Sequence, residues 1–352
     1  MNGKDWEGEV LEGVVSTAGA VNGIDLSSEH RSSWLRMERD AHTQRTIETS
    51  FETTAAVQQF ARTSYEYNDI GDILKTVNTQ GGQITSPVQT TCYRYNGLRE
   101  LTAAWSSPTM AVNCATTTAP TPANTTMVGG AQPFSTTWAF DNVGSRTSQV
   151  QHKVTGGRTT TATTSYTMAN PTVAHALSST STTTSPVTTT TTTGYTYDLN
   201  GNMLTRTGVA GGNQTFTYNQ ENRVASVANT AGTQTYVYDA DGTLLRKKTP
   251  THTIVTIDDT EYIRHNTTGA YTSNRSFSHA GYPIATIDTN DLNRFQYTDQ
   301  NNTASVAVAA PLAVMSRQVG EPADGGAADG GVDPVVIVEV DPVRQSVPAG
   351  SF

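Results

Sequence analysis

The stretch that decides the fold reads Tyr195-Thr196-Tyr197-Asp198-Leu199-Asn200-Gly201-Asn202-Met203-Leu204. Residues i and i+2 of a β-strand point to the same face, so the two tyrosines predict a two-ring patch on one side of a sheet. Asp198 can hydrogen-bond its own backbone two residues on, and Gly201 accepts a positive φ, which together favour a tight turn. An aliphatic segment follows. The unit therefore predicts a β-hairpin.

The same unit recurs along the chain, and its clearest second copy places Asp239 and Gly242 at the turn. Seven aromatic pairs follow the pattern: Tyr65 and Tyr67, Tyr93 and Tyr95, Trp138 and Phe140, Tyr195 and Tyr197, Phe216 and Tyr218, Tyr236 and Tyr238, and Phe295 and Tyr297. A lone hairpin is marginally stable in water, so the units are expected to stack edge to edge. The prediction is an all-β fold of stacked hairpins that form one curved sheet.

The composition limits the classes of partner. Charged residues make up 15% of the chain and the net charge is −9, an acidic surface that argues against a nucleic-acid binder. The basic run Arg246-Lys247-Lys248 is interpreted as a solvated strand end. No apolar stretch approaches the roughly 18 residues of a membrane span. The start of the chain shows no apolar core of a signal peptide, so either the chain as given is not exported or it is a piece of a longer, export-competent chain, and the second alternative is favoured.

Residues 195–202 and 236–245 resemble the Tyr-Asp (YD) repeat of rearrangement-hotspot (Rhs) proteins, teneurins and the shell subunits of insecticidal toxin complexes. Residues 277–306 resemble the degraded repeats near the end of Rhs cores. The resemblance implies a hollow shell of hairpins that encapsulates a toxic C-terminal domain or presents a surface for cell contact. It implies a secreted or cell-surface scaffold, here a partial arc of a β-shell. The implied partners are a toxin domain or missing shell segments of a longer chain.

The repeat region is predicted over residues 64–310, with loops at about 110–133 and 178–193. Residues 158–193 are largely Thr and Ser, and strands are expected near 160–167. Residues 1–63 are predicted to be degenerate repeats built from strands.

The C-terminal residues 311–352 are rich in Gly, Ala and Asp and predict a disordered tail. Within the tail, the run Val335–Val340 could add an edge strand.

Cys92 and Cys114 are the only cysteines. In an exported chain they predict one disulfide across the Thr/Pro-rich loop, and two free buried thiols are the alternative. Closing a loop of about 20 residues would stabilise the fold by about 3 kcal/mol.

No residue set predicts a catalytic, cofactor or metal site. Asp198 opens a pattern similar to a calcium loop, but Val209 stands where the bidentate glutamate is needed, and Pro250 stands there in the Asp239 copy. Asp198 and Asp239 are therefore interpreted as turn residues. The dipeptide Ser278-His279 is the nearest approach to a catalytic pair, and His279 is interpreted as part of a strand.

The leading hypothesis is a structural scaffold without enzymatic activity. The alternative is a binding module that uses aromatic rows or open sheet edges to bind carbohydrate or a cell-surface protein. Autoproteolysis of the Rhs type is a third hypothesis. Against it, Asp333-Pro334 and Asp341-Pro342 are each followed by valine rather than by the family's Gly-Leu.

Overall fold

The protein is an all-β molecule. The computed structural model describes residues 13–17, 20–25, 33–53, 59–80, 88–119, 128–155, 158–279, 281–289, 293–298, 304–309 and 337–339. Within them, twenty-five β-strands form one sheet. The same residues contain no helix, hence none that is long and apolar enough to cross a membrane.

The strand bounds are as follows. The first twelve strands are β1 (Gly13–Thr17), β2 (Ala20–Asp25), β3 (Ser33–Arg39), β4 (Thr46–Thr53), β5 (Gln59–Tyr67), β6 (Ile73–Gln80), β7 (Val88–Tyr95), β8 (Leu101–Ser107), β9 (Phe134–Phe140), β10 (Arg146–Thr155), β11 (Arg158–Thr167) and β12 (Ser179–Ser185). The remaining strands are β13 (Thr189–Tyr197), β14 (Met203–Thr207), β15 (Gln214–Tyr218), β16 (Val224–Asn229), β17 (Gly232–Tyr238), β18 (Leu244–Lys248), β19 (His252–Ile257), β20 (Thr260–His265), β21 (Tyr271–His279), β22 (Tyr282–Asp288), β23 (Asn293–Thr298), β24 (Ala304–Ala309) and β25 (Ile337–Glu339).

Every strand pairs antiparallel with its neighbours in the chain, from β1 with β2 to β24 with β25. The sheet is open, since β1 and β25 do not pair in the described part of the chain. It also curls, because β23 contacts β4 far away in the sequence. The prediction of stacked hairpins in one curved sheet is confirmed.

A β-bulge recurs at the end of each repeat strand. In β13 the register shifts between Thr196 and Tyr197, so that Leu204 on β14 has no direct partner. The same shift comes just before Tyr67, Tyr95, Tyr218 and Tyr238. Bulges bend the strand and increase the local twist. One bulge per repeat, always beside the turn, is a physical reason for the curl of the sheet.

The sheet has two faces, named here the aromatic face and the opposite face. The aromatic face carries the aromatic pairs, and in β2–β5 it is buried: Leu35, Phe51 and Ala61 are at most 1% exposed. Their alternating neighbours Arg36 and Arg62 on the opposite face are exposed. The curl therefore covers the aromatic face of the N-terminal strands.

The predicted loop at about 178–193 is wrong, because β12 and most of β13 occupy that segment. Thr182 contacts Thr164 across β11 and β12 with a 2.8 Å hydroxyl–hydroxyl distance, and Thr184 contacts Thr189 at 2.6 Å. β-Branched threonines favour strands, and cross-strand hydroxyl bonds stabilise the pairs. The Thr-rich composition of the segment predicted a loop, whereas its threonines form regular cross-strand pairs.

Residues 108–133 connect β8 to β9, and residues 120–127 within them lie outside the described part. Strands β1–β5 occupy the region predicted as degenerate repeats. Apart from β25, the predicted tail of residues 311–352 lies outside the described residues.

Candidate functional site

Six repeat turns in the described part of the chain use one hydrogen-bonding scheme. Asp198 Oδ1 accepts from the backbone N–H of Asn200 at 2.9 Å and of Asn202 at 2.8 Å. Asn202 Nδ2 donates to Asp198 Oδ2 at 2.9 Å, and these bonds lower the pKa of Asp198. Gly201 has φ +88°, which glycine adopts without a Cβ penalty. The oxygens of Asp198 are thus occupied by the turn itself.

The other copies repeat the scheme. Asp239 Oδ1 accepts from Thr243 N–H at 2.8 Å, and Gly242 has φ +89°. Asn68, Asn96, Asp141 and Asn219 accept equivalent bonds. In the Asn96 copy, Arg99 and not Gly97 takes the positive φ, at +65°. Sequence inspection would choose Gly97, since glycine is the residue that favours this conformation.

Because consecutive strands are joined by hairpins, every second connection lies on the same rim, and the repeat turns line up there. Arg45 donates to the Asn68 carbonyl of the next turn at 3.1 Å. Arg99 donates to Asp72 Oδ1 through Nε at 2.8 Å, and this bond is the main cause of the lowered pKa of Asp72. Asn202 Nδ2 donates to Asn222 Oδ1 at 3.1 Å. Neighbouring turns are thereby tied to each other.

In three of the pairs the second aromatic residue ends its strand and reaches toward the preceding repeat. The Tyr67 hydroxyl donates to the Thr46 carbonyl at 2.6 Å, the Tyr218 hydroxyl to the Met203 carbonyl at 2.9 Å, and the Tyr238 hydroxyl to the Val224 carbonyl at 3.0 Å. Each acceptor is the first strand residue after the preceding repeat turn. The tyrosine therefore links two hairpins, a role that the spacing of the aromatic pairs did not reveal.

Arginine side chains stack on two of these rings. The guanidinium carbons of Arg45 and Arg223 each lie 5.8 Å from the ring centroids of Tyr67 and Tyr238, respectively, within cation–π range. Burial raises the pKa of Tyr67. Burial also raises the pKa of Tyr95, Tyr197, Tyr218 and Tyr236. The hydroxyls of Tyr67, Tyr218 and Tyr236 act as hydrogen-bond donors.

The aromatic face is uncovered in the middle of the sheet. No described side chain in β11–β21 is buried, and the pairs on β13, β15 and β17 are all half-buried. An open groove of about 500 Å³ lies on this face, lined among others by Gln234, His252 and Ile263. The rings of His252 and His265 meet edge to face, with centroids 4.9 Å apart. In this stretch the sheet is a single layer.

On the opposite face, a segment named here the strap (residues 108–119) covers part of β7 and β8. Cys114 forms a disulfide with Cys92 on β7, with the Cα atoms 5.3 Å apart. Arg94 donates to the carbonyls of Ala115 at 2.7 Å and Thr117 at 2.6 Å. Beneath the strap, Trp105 is only 1% exposed. Two cysteines indicated the bond, but nothing in the sequence indicated which face the strap covers.

The remaining predicted residues are placed as follows. Tyr65 is buried, whereas Tyr93, Trp138 and Phe140 are half-buried. Phe295 and Tyr297 lie on β23, and His279 ends β21; the side chains of all three lie outside the described part. No group of three or more His, Cys, Asp or Glu side chains that could hold a metal ion occurs among the described residues.

Comparison with known proteins supports a repeat shell. Residues 118–284, slightly less than half of the chain, match the family model described as Teneurin YD-shell. No match to a curated protein was found. The resemblance to YD-repeat proteins is confirmed by the family match together with the similar structures.

Three of those structures contain TccC3. One is the Photorhabdus luminescens Tc holotoxin pore with a TccC3 D651A mutation, which shares 14% identity over 85% of this chain at a TM-score of 0.61. Two others are TcdB2–TccC3 with Cdc42 (14% identity, 83% of this chain, TM-score 0.58) and TcdB2–TccC3 alone (15%, 83%, 0.57). This chain spans 15% of the first structure and 16% of the other two.

Proposed function

We propose that this chain, which carries a YD-shell segment over residues 118–284, is one wall segment of a larger hollow shell that encloses a C-terminal toxin. Its role is structural and involves no catalytic step. The rest of the wall comes from further segments of a longer chain or from a partner. Such a shell works at the cell surface or after secretion, where the disulfide between Cys92 and Cys114 is stable.

The observation that carries the proposal is the uncovered aromatic face of β11–β21. A sheet with one apolar face normally buries it against a second layer. Here the tyrosine rings of β13, β15 and β17 stay half-buried, while the same face is covered in β2–β5. A wall that faces an enclosed space accounts for this difference, because the missing layer is supplied by the contents of the shell or by its remaining wall.

A graft into a complete shell tests the proposal. The strands of TccC3 that match this chain are replaced by residues 59–279, and the graft is purified with TcdB2. One solved TcdB2–TccC3 structure is described as lacking a hypervariable C-terminal region. Protection of that region from added protease reports closure of the shell. The expected result is that the graft assembles and protects the region.

The two faces supply matched controls for the graft. Changing Tyr197, Tyr218 and Tyr238 to serine alters the aromatic face and is expected to abolish protection. The matched control changes their exposed neighbours on the opposite face, Thr196, Thr217 and Val237, to serine. This control is expected to preserve the protection from protease. A graft that fails to assemble with TcdB2, or equal protection in both triple variants, would contradict the wall function.

A second candidate is a binding module, favoured by the groove beside β17 and β19. Gln234 and His252 supply polar groups, and Ile254 and Ile263 supply apolar surface, a combination that suits a small ligand such as a sugar. Saturable binding of free oligosaccharide that Gln234→Ala and His252→Ala abolish would favour this candidate. The wall function requires no such binding.

A further inference from the structure

The basic run Arg246-Lys247-Lys248 is divided between the two faces of β18. Lys247 pairs with Tyr236 and Ile254, which places it on the aromatic face. Arg246 pairs with Val237 and Val255, so Arg246 and Lys248 lie together on the opposite face. The run ends β18, as expected, but two of its cations share one surface and the third lies on the other.

The register adds two more cations to the same face. Lys248 pairs with Thr253, which pairs with Arg264 on β20. Arg275 on β21 pairs with Thr260 of β20, on the same face as Arg264. Neighbouring strands lie about 4.8 Å apart, so the four cations of β18–β21 fall within a width of about 15 Å.

The strands that carry the four cations carry no acidic side chain on the same face, and the nearest carboxylates, Asp258 and Asp259, lie in the turn between β19 and β20. All four are exposed, and none takes part in an ion pair found among the described residues. The register places no Asp or Glu on this face of β17–β21. Glu261 lies on the aromatic face, because it pairs with Thr256 and Asn274. A local positive patch thus exists on a chain with a net charge of −9.

The same face also exposes apolar and aromatic side chains. Val237 is 40% exposed, Ile257 57%, Tyr262 47% and Tyr271 67%. The Arg264 guanidinium lies 5.8 Å from the centre of the Tyr271 ring. Cations and large apolar groups are therefore interleaved on one surface, and its exposed side chains are not covered by the rest of the described chain.

We propose that this patch docks the sheet on an anionic phospholipid surface. The patch consists of four cations and four apolar or aromatic side chains: Arg246, Lys248, Arg264 and Arg275 with Val237, Ile257, Tyr262 and Tyr271. Charge complementarity selects an anionic partner. Each cation near such a surface raises partitioning about fivefold. Tyrosine side chains favour the membrane–water interface. The exposed Val237 and Ile257 gain contact with lipid, whereas a soluble polyanion would leave them in water.

The acidic net charge does not prevent docking. Charges farther away than the Debye length of about 8–10 Å are largely screened in physiological salt. The carboxylates on remote strands therefore contribute little at the contact, whereas Asp258 and Asp259 beside Arg275 offset part of its attraction. The patch orients the sheet with its aromatic face away from the lipid. This inference does not depend on the proposed wall function.

Flotation of the full chain with vesicles tests the docking. Vesicles of phosphatidylcholine with phosphatidylglycerol are compared with phosphatidylcholine alone, at low salt and at 1 M salt, where the Debye length is about 3 Å. The double variant Arg246→Gln/Lys248→Gln is compared with Lys247→Gln/Lys153→Gln. Both lose two positive charges, but Lys247 and Lys153 lie on the aromatic face.

The expected result is salt-sensitive binding to the anionic vesicles only. We expect it to be weakened about 25-fold by the first double variant and little by the second. Val237→Thr/Ile257→Thr should also weaken it. Three results would overturn the proposal: no flotation of the wild type, equal losses in both double variants, or salt-sensitive binding to heparin or DNA without binding to vesicles.

Discussion

Reduction of the Cys92–Cys114 disulfide is expected to release the strap while the sheet stays paired. The bond closes a loop with a sequence separation of 22 residues. Because Cys92 pairs with Trp105 and the ladder between β7 and β8 stays intact, only the stretch from Trp105 to Cys114 gains freedom when the strap opens. For this shorter loop the chain-entropy relation gives about 9 cal/mol/K, which is about 2.6 kcal/mol at 25 °C. At about 1.4 kcal/mol per tenfold change, the strap should open roughly 70-fold more often after reduction.

The remaining contacts limit the effect to the strap. Arg94 still donates to the Ala115 and Thr117 carbonyls, and Lys75 still donates to the Met110 carbonyl at 3.4 Å. The ladder between β7 and β8 does not depend on the disulfide. Local opening of residues 108–119 is therefore expected at a reductant concentration that leaves the β-sheet signal in circular dichroism unchanged.

Two assays measure the release. Hydrogen exchange by mass spectrometry compares peptides from residues 108–119 with peptides from β17–β18 before and after reduction. Acrylamide quenching reports on Trp105, which is only 1% exposed under the strap, and Trp105→Phe identifies its contribution among four tryptophans. The double variant Cys92→Ala/Cys114→Ala should behave like the reduced protein and should not respond to reductant.

Two free thiols on the oxidised, denatured protein would refute the disulfide. Unchanged exchange of the strap after complete reduction would refute the loop-entropy argument and show that the contacts of Arg94 and Lys75 suffice.

Three further perturbations test the repeat. Tyr238→Phe removes the hydroxyl bond to the Val224 carbonyl and should lower the free energy of unfolding in urea by about 1 kcal/mol. Tyr236→Phe loses only a bond to the Gln234 side chain and should lower it less, so equal losses would contradict the linking role. Gly201 has φ +88° and open space around it, so Gly201→Ala should lower the free energy of unfolding by about 1 kcal/mol. Gly97 also has open space but an ordinary φ, so Gly97→Ala should be neutral. A neutral Gly201→Ala would contradict the inference that the turn requires glycine at a positive φ. The pKa of Asp72 is lowered in the folded protein, so its bond to Arg99 stabilises the fold fully above the unfolded pKa of about 3.9, and this stabilisation is lost as the pH falls through the folded pKa. Asp72→Asn should therefore lower stability at pH 7 and reduce the loss of stability on acidification. Thermal melts between pH 7 and pH 2 measure both effects.

The sequence predicts the hairpins where one short signal determines the geometry. The spacing of Tyr195 and Tyr197 places two rings on one face. Asp198 supplies the hydrogen-bond acceptor of the turn, and Gly201 supplies its positive φ. The bulge beside Tyr197 arises because β14 contributes one extra residue, Leu204, at this point of the ladder, and the motif does not predict that extra residue. The exception at Arg99 has a tertiary cause as well, because its side chain is held by Asp72 of the preceding turn.

Other features depend on pairing between distant residues. The threonines of residues 178–193 are compatible with a loop or a strand, and only the ladder with β11 decides between them. Likewise, Arg246, Lys248, Arg264 and Arg275 are spread over thirty positions, and they become one surface only through the register of β18–β21.

The succession of nearest-neighbour hairpins has a consequence for how such proteins change length during evolution. Removing or adding one whole hairpin leaves every other pair of strands in register, with each aromatic pair on its old face and each repeat turn on its old rim. Adding a single strand would instead reverse the direction of all strands that follow, and would carry their turns to the other rim, away from partners such as the one Arg45 finds at Asn68. Insertions and deletions in this architecture are therefore expected to come in even numbers of strands.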